Sequence, residues 1–113
     1  MVKIEAVIRP DRLDSVKTAL DAVGVGGITI SEVRGAGQQR GYVHHYRGAE
    51  YRVNLIDKLK LEMVVPDSIV EEAVATIVEA ARSGEVGDGK IFLIPVTDAV
   101  RVRTGERGEA AVG

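Results

Sequence analysis

Three clusters in this 113-residue chain carry residue types suited to holding an anion. The first is Gly84-Glu85-Val86-Gly87-Asp88-Gly89-Lys90. Glycines there let backbone N–H groups come close to a negative group, and the lysine ammonium neutralises it. Spacing and element order both differ from a Walker A loop. The plain alternative is a helix C-cap and tight turn, with Lys90 in solvent. The second cluster is Arg101 and Arg103, followed by Thr104 and Gly105. On a strand both guanidiniums fall on one face, and two adjacent forks suit phosphate or carboxylate. A solvated edge strand, whose charges deter aggregation, would read the same. The third runs from Gly35 to Gly41, where glycines at 35, 37 and 41 mark a pivot or a close ligand approach, or simply a flexible loop. None of the three is specific alone; together, in so short a chain, they are less easily dismissed. His44 and His45 are adjacent and lack cysteine or a carboxylate trio, so a solvated pair outweighs a metal site.

The elements that must position these clusters repeat. Residues 2–9 alternate Val2, Ile4, Ala6 and Ile8 against Lys3, Glu5 and Arg9, which predicts a strand. Pro10 and Asp11 break it and open a helix through Leu13, Val16, Leu20 and Val23, with Gly24 as its stop. A second strand is expected over 28–34. The order then recurs: an alternating strand over 58–65, Pro66 and Asp67, a helical stripe from Val70 to Ala81 ended by Gly84, and a strand over 91–96. Residues 99–103 alternate again and are expected as a short extra strand. The sum is an α+β, ferredoxin-like βαββαβ arrangement in a single domain, 1–113. Its sheet has one face under helices, while Val7, Val33, Val64, Phe92 and Ile94 make the other too apolar for open water, which predicts a homo-oligomer of closed symmetry. The insert at 36–57 between the second and third strands is long for this fold and holds Tyr42, Tyr46, Tyr51 and both histidines.

Composition excludes whole classes. Lys plus Arg is 15 and Asp plus Glu is 17, so no basic excess exists to hold nucleic acid. Aromatics at 4% are too few for a base-stacking surface. With no cysteine there is no disulfide, thiolate metal site or thiol nucleophile. The opening residues lack an apolar signal-peptide core, and no stretch reaches the roughly 18 apolar residues of a membrane span. A cytoplasmic protein without membrane insertion is expected.

Three separated segments carry a resemblance: Tyr46-Arg47-Gly48-Ala49-Glu50-Tyr51, Ser83 through Leu93, and Arg101-Val102-Arg103-Thr104-Gly105-Glu106. In this order and spacing the chain resembles, over essentially its whole length, the PII nitrogen-regulatory signal proteins. The resemblance implies a homotrimer that binds ATP or ADP in clefts between subunits and 2-oxoglutarate beside ATP through a shared Mg²⁺. The insert 36–57 would be the T-loop that docks targets of nitrogen metabolism: enzymes, transcription regulators or an ammonium transporter. Carried over, Gly87, Asp88, Gly89 and Lys90 in the 84–90 loop would hold phosphates, with Arg101 and Arg103 of the C-terminal segment 101–113 at the same end. Thr29, Gly35, Glu62 and Val64 would line the adenine and ribose end, with Gly37 and Gln38 near the phosphates. Gln39 would ligate Mg²⁺ and touch 2-oxoglutarate, Lys58 would pair with its carboxylate, and Arg9 would sit close by. Tyr51 matches a tyrosine uridylylated in some members.

Departures fall near the arm. Ala36 stands where the family commonly has an aromatic, Gln38 where it has arginine, and Asn54 where an acid is usual. Tyr42, Val43, His44 and His45 replace a more typical stretch, and Ala49 excludes the serine phosphorylation of other members. The reading that emerges is a non-enzymatic regulator. A phosphoryl-transfer enzyme using the Gly87–Lys90 loop is the alternative, and the sequence supplies it no convincing base or nucleophile. An RNA-recognition domain would need aromatics on its central strands, where the chain offers only Phe92.

Overall fold

Both halves of the chain open with the same grammar, and the backbone follows it. Strand β1 (Val2–Ile8) buries Ile4, Ala6 and Ile8 on one side, as its alternation requires. Arg9 is held extended before Pro10, a 3₁₀ turn covers Pro10–Arg12, and α1 (Leu13–Ala22) follows. The helix ends in a Schellman arrangement: Val25 N–H donates to the Leu20 carbonyl at 3.0 Å and Gly24 N–H to that of Asp21 at 3.1 Å, with Gly24 at φ 89°. β2 (Thr29–Ala36) leads into a two-stranded antiparallel hairpin, β3 (Tyr42–Tyr46) and β4 (Ala49–Val53). β5 (Leu55–Val65), Pro66, a 3₁₀ turn over Asp67–Ile69, α2 (Val70–Ala81) and β6 (Gly89–Pro95) complete the second half. A 3₁₀ turn at Gly108–Ala111 closes the chain. The structure is a computed structural model that describes residues 1–36, 42–46, 49–53 and 55–112.

The main sheet is antiparallel throughout, in the order β2-β5-β1-β6, which with two helices on one face is the expected ferredoxin-like topology. The helix-side core is aliphatic: Ile4, Ala6, Leu61 and Met63 of the sheet pack with Val16 and Leu20 of α1 and Ala73 and Ile77 of α2. Each fully buried Ile or Leu contributes about 1.5–3 kcal/mol. Among the described residues no helix is long and apolar enough to cross a membrane.

The other face of the sheet differs from its sequence reading. Phe92 and Ile94 are exposed on edge strand β6, as expected of an apolar open face, but the centre is ionic. Register places Glu5 directly opposite Glu62, an unfavourable like-charge pair. Lys3 lies 3.2 Å from Glu62 and 3.8 Å from Glu5, and Lys60 is 3.5 Å and 3.8 Å from the same carboxylates. The hydrogen bond from Lys3 does most to hold the Glu62 carboxyl below the usual range.

Three boundaries are corrected. The insert is shorter than 36–57, because Ala36 belongs to β2 and pairs with Leu55, and Leu55–Asp57 belong to β5. Helix α2 stops at Ala81, where Arg82 turns extended, rather than running to Gly84. Residues 99–103 form no strand: a single bridge joins Val100 to Arg107, and Arg101 instead starts a turn that returns to Glu106. The alternation of Val100, Arg101, Val102 and Arg103 has a strand's period, but Asp98 gathers this segment on itself. It accepts from Ala99 N–H at 2.8 Å, Gly108 N–H at 3.1 Å and Arg107 at 2.8 Å. These bonds, Arg107's first, keep its carboxyl below the ordinary value.

Candidate functional site

The ladder itself assembles the main cluster. Ile8 pairs with Leu59 on one side and with Gly89 on the other. One residue beyond that rung, Arg9 therefore comes between Lys58 of β5 and Asp88, which precedes β6. Arg9 Nε lies 3.0 Å from Asp88 Oδ1, and its Nη2 donates to the Val86 carbonyl at 2.8 Å. Lys58 Nζ donates to the Gly87 carbonyl, and the residue is only 5% exposed. Burial lowers the Lys58 pKa first, Arg9 lowers it further, and Asp88 partly offsets both.

Asp88 is the anchor of the 82–88 loop. Its Oδ2 accepts Ser83 N–H at 2.8 Å and Gly84 N–H at 2.9 Å, and its Oδ1 accepts the Ser83 hydroxyl as well as Arg9. The Ser83 hydroxyl bond heads the causes that hold this carboxyl far below its usual range. Gly89 opens β6 at φ 109°, and a Cβ there would overlap the Val7 carbonyl oxygen, so no other residue lets β6 meet β1 at this point. Lys90 pairs with Val7 on the open face. The cluster thus brings two cations, Arg9 and Lys58, to the root of the arm, where Asp88 and the Val86 and Gly87 carbonyls are their partners. Among the described residues no three His, Cys, Asp or Glu side chains converge to hold a metal.

The remaining expected residues divide. Gly35 joins the first cluster: it pairs with Ile56, and a Cβ on it would stand 3.6 Å from Lys58 Cγ. A cleft of about 490 Å³ opens there between Pro10, Glu32, Val33, Arg34, Asp57, Lys58 and Leu59. Thr29, Glu62 and Val64 gather elsewhere, in a cleft of about 480 Å³ shared with Lys3, Gly27 and the C-terminal Ala111 and Val112. Glu62 is four residues along β5 from Lys58, roughly 13 Å at the rise of a strand. Arg101 and Arg103 join neither group. Arg101 is turned into its own segment, 3.3 Å from Glu106 and 3.1 Å from the Ala110 carbonyl, and without the expected strand the two do not form a paired fork. Tyr51 falls in β4 opposite His44. Gly37, Gln38, Gln39 and Asn54 lie outside the described residues. Sequence reasoning gave Ser83 no role beyond a motif match and missed the Asp98 hub. A serine five residues before an aspartate, across two glycines, was the available signal for the first.

The comparisons with known proteins agree with this geometry. The profile of the family described as nitrogen regulatory protein P-II matches residues 1–106. The chain is 53% identical over 112 residues to the nitrogen regulatory protein P-II of Azospirillum brasilense, covering 99% of this chain and all of that protein. It is 50% identical over the same length, with the same coverage, to nitrogen regulatory protein P-II 1 of Escherichia coli K12. Among solved structures it superposes on Arabidopsis thaliana PII bound to citrate with a TM-score of 0.80 at 44% identity, covering 98% of this chain and 88% of that one. The ferredoxin-like fold and these relatives converge: the chain belongs to the nitrogen regulatory protein P-II family, a family of signal-transducing regulators rather than enzymes.

Proposed function

We propose that this regulator binds ATP or ADP and, beside ATP and Mg²⁺, 2-oxoglutarate, and that it acts in the cytoplasm as a homotrimer whose T-loop engages targets of nitrogen metabolism. The observation that carries the reading is the row Lys58–Arg9–Asp88 at the root of the arm. A dicarboxylate seated there lies beside Gly35 at the end of β2 and Lys58 near the start of β5, so it touches both stems of the arm. The citrate on the Arabidopsis relative is a small polycarboxylate of the kind two such cations recognise. The separation of the Lys58 cluster, the Glu62 cluster and Arg101 with Arg103 favours a nucleotide site completed by a second copy, because one chain does not bring its three parts together. The exposed Phe92 and Ile94 give such copies a surface to cover.

Gly87, Gly89 and Lys90 hold phosphates in this reading, through amides and the ammonium, while Asp88 shapes their loop. Thr29, Glu62 and Val64 line the base, and Arg101 and Arg103 come from the neighbouring copy. Mg²⁺ is a hard ion suited to the Gln39 amide oxygen together with phosphate and carboxylate oxygens. In this reading Gln39 would hold it jointly with the nucleotide's phosphates, where it would offset their charge. Binding energies are then linked: ATP–Mg²⁺ raises the affinity for 2-oxoglutarate, and the reverse holds equally.

Calorimetric titration tests this. ATP binds on its own, and 2-oxoglutarate binds only with ATP and Mg²⁺ present. Equal 2-oxoglutarate binding without nucleotide overturns the linked site, and unchanged ATP affinity in Lys90→Ala or Arg103→Ala overturns the phosphate assignment.

A further inference from the structure

We propose that Asp88, pinned by Ser83, is a positioning residue that closes the 82–88 loop over Arg9 and Lys58 and competes from within the chain with a dicarboxylate for these cations. The inference rests on the preceding reading for the identity of the visitor, and on the bond pattern alone for the closure. The Asp88 carboxylate takes four donors, two backbone amides, one hydroxyl and one guanidinium, so both its oxygens are engaged. The Ser83 hydroxyl also accepts Glu85 N–H at 3.3 Å, tying the loop's first half to the same point.

The consequence falls on the cations. With Asp88 in place, the Val86 carbonyl takes one donor of Arg9 Nη2 and the Gly87 carbonyl takes one of the three donors of Lys58 Nζ. Lys58 is thereby 5% exposed on a chain whose function calls for it to meet a ligand. A carboxylate approaching Lys58 from the cleft beside Pro10 and Asp57 meets the Gly87 carbonyl as a rival for the ammonium. The loop is not held by packing: Ser83, Gly84 and Glu85 are exposed, and Val86 is 66% exposed. Polar bonds at one carboxylate hold it, which makes it a local unit that opens without unfolding the sheet. The same carboxylate that gathers the Ser83 and Gly84 amides also bonds Arg9 at the end of the neighbouring strand, so the loop and the cation are tied at one point. When a binding-competent state is a minor one, apparent affinity falls by its population, and a variant that favours the open state recovers that factor.

The test uses the full chain with Asp88→Asn and Ser83→Ala. In the ligand-free protein, acetylation of Lys58 by acetic anhydride, read by mass spectrometry, runs severalfold faster in both variants, and the Ser83 and Gly84 amides exchange faster. With saturating ATP and Mg²⁺, 2-oxoglutarate binds Asp88→Asn about tenfold more tightly if the open state is a ~10% population of the parent, with a smaller gain for Ser83→Ala. Unchanged Lys58 reactivity overturns the closure whatever the ligand. Faster acetylation with unchanged or weaker 2-oxoglutarate binding overturns the competition, since a purely structural role lowers affinity. If the parent binds no 2-oxoglutarate under these conditions, the ligand reading fails while the acetylation and exchange results still decide the closure.

Discussion

The two halves of the chain share a grammar and part company at two points, and the site lies where they differ. Both run strand, Pro-Asp, 3₁₀ turn, helix and strand. Before its proline the first half has Arg9, while the second has Val65, which is buried. After its helix the first half stops at Gly24 and passes through buried Val25 toward β2, held by backbone bonds alone. The second leaves α2 in an extended turn at Arg82 and needs Asp88 to organise the path to β6. A backbone-capped link is finished by folding. A link organised by one side chain can be opened by whatever competes for that side chain's partners. The antiparallel ladder brings the first half's extra charge, Arg9, to the second half's extra loop, so the departures from symmetry meet at one place.

The largest expected effect breaks the comparison at its glycines. Gly89→Ala forces a Cβ into the Val7 carbonyl at a left-handed backbone position, and is expected to cost about 3 kcal/mol or more, or to prevent folding. Gly24→Ala, also left-handed but with nothing within 4 Å, is expected to cost about 1 kcal/mol. Urea midpoints of the two variants measure the difference. Equal costs would mean that the β1–β6 junction yields and that the second half is not the tighter-built one.

Most of this grammar was readable in the sequence because it is local. Alternation at Ile4, Ala6 and Ile8, the paired prolines and the stop at Gly24 each act within a few residues. What was not readable depends on register or on a distant partner. The lengthened ends of β2 and β5 carry no clear alternation and are fixed by pairing Gly35 with Ile56 and Ala36 with Leu55. Lys3, Glu5, Lys60 and Glu62 could be seen as polar positions, but their lattice exists only because Glu5 faces Glu62. Arg101 and Arg103 looked like a paired fork until Asp98 and Glu106 turned their segment back on itself. For the site, the residue types of Arg9, Lys58 and Asp88 were legible, and their mutual satisfaction was not.

An intermediate effect comes from acid. The folded Asp88 carboxyl titrates below its unfolded value, so its contribution is fully present above the ordinary carboxylate range near pH 4 and is lost only as pH falls through the depressed folded value. Ser83 and Gly84 amide protection is therefore expected to survive from pH 7 to below 4. Hydrogen exchange over that interval checks it. Loss of protection in step with ordinary carboxylates would show that Ser83 and Arg9 do not hold the charge. The Gly24 turn, which has no ionisable partner in its bonds, provides the pH-independent reference in the same spectra.

The smallest expected effect asks whether the second half's link has another electrostatic tie. Arg82, at the exit of α2, lies 3.3 Å from Glu79, with side chains 60% and 82% exposed. An exposed pair three residues apart at a helix's end is worth about 0.3 kcal/mol and is screened by salt. A double-mutant cycle with Arg82→Ala and Glu79→Ala is expected to return that coupling at low ionic strength and none at high. A coupling above about 1 kcal/mol, well outside the exposed range, would place Arg82 among the groups that fix the loop's direction. Asp88 would then share its role, and the contrast between a backbone-capped half and a half organised by one carboxylate would have to be redrawn as backbone against a network.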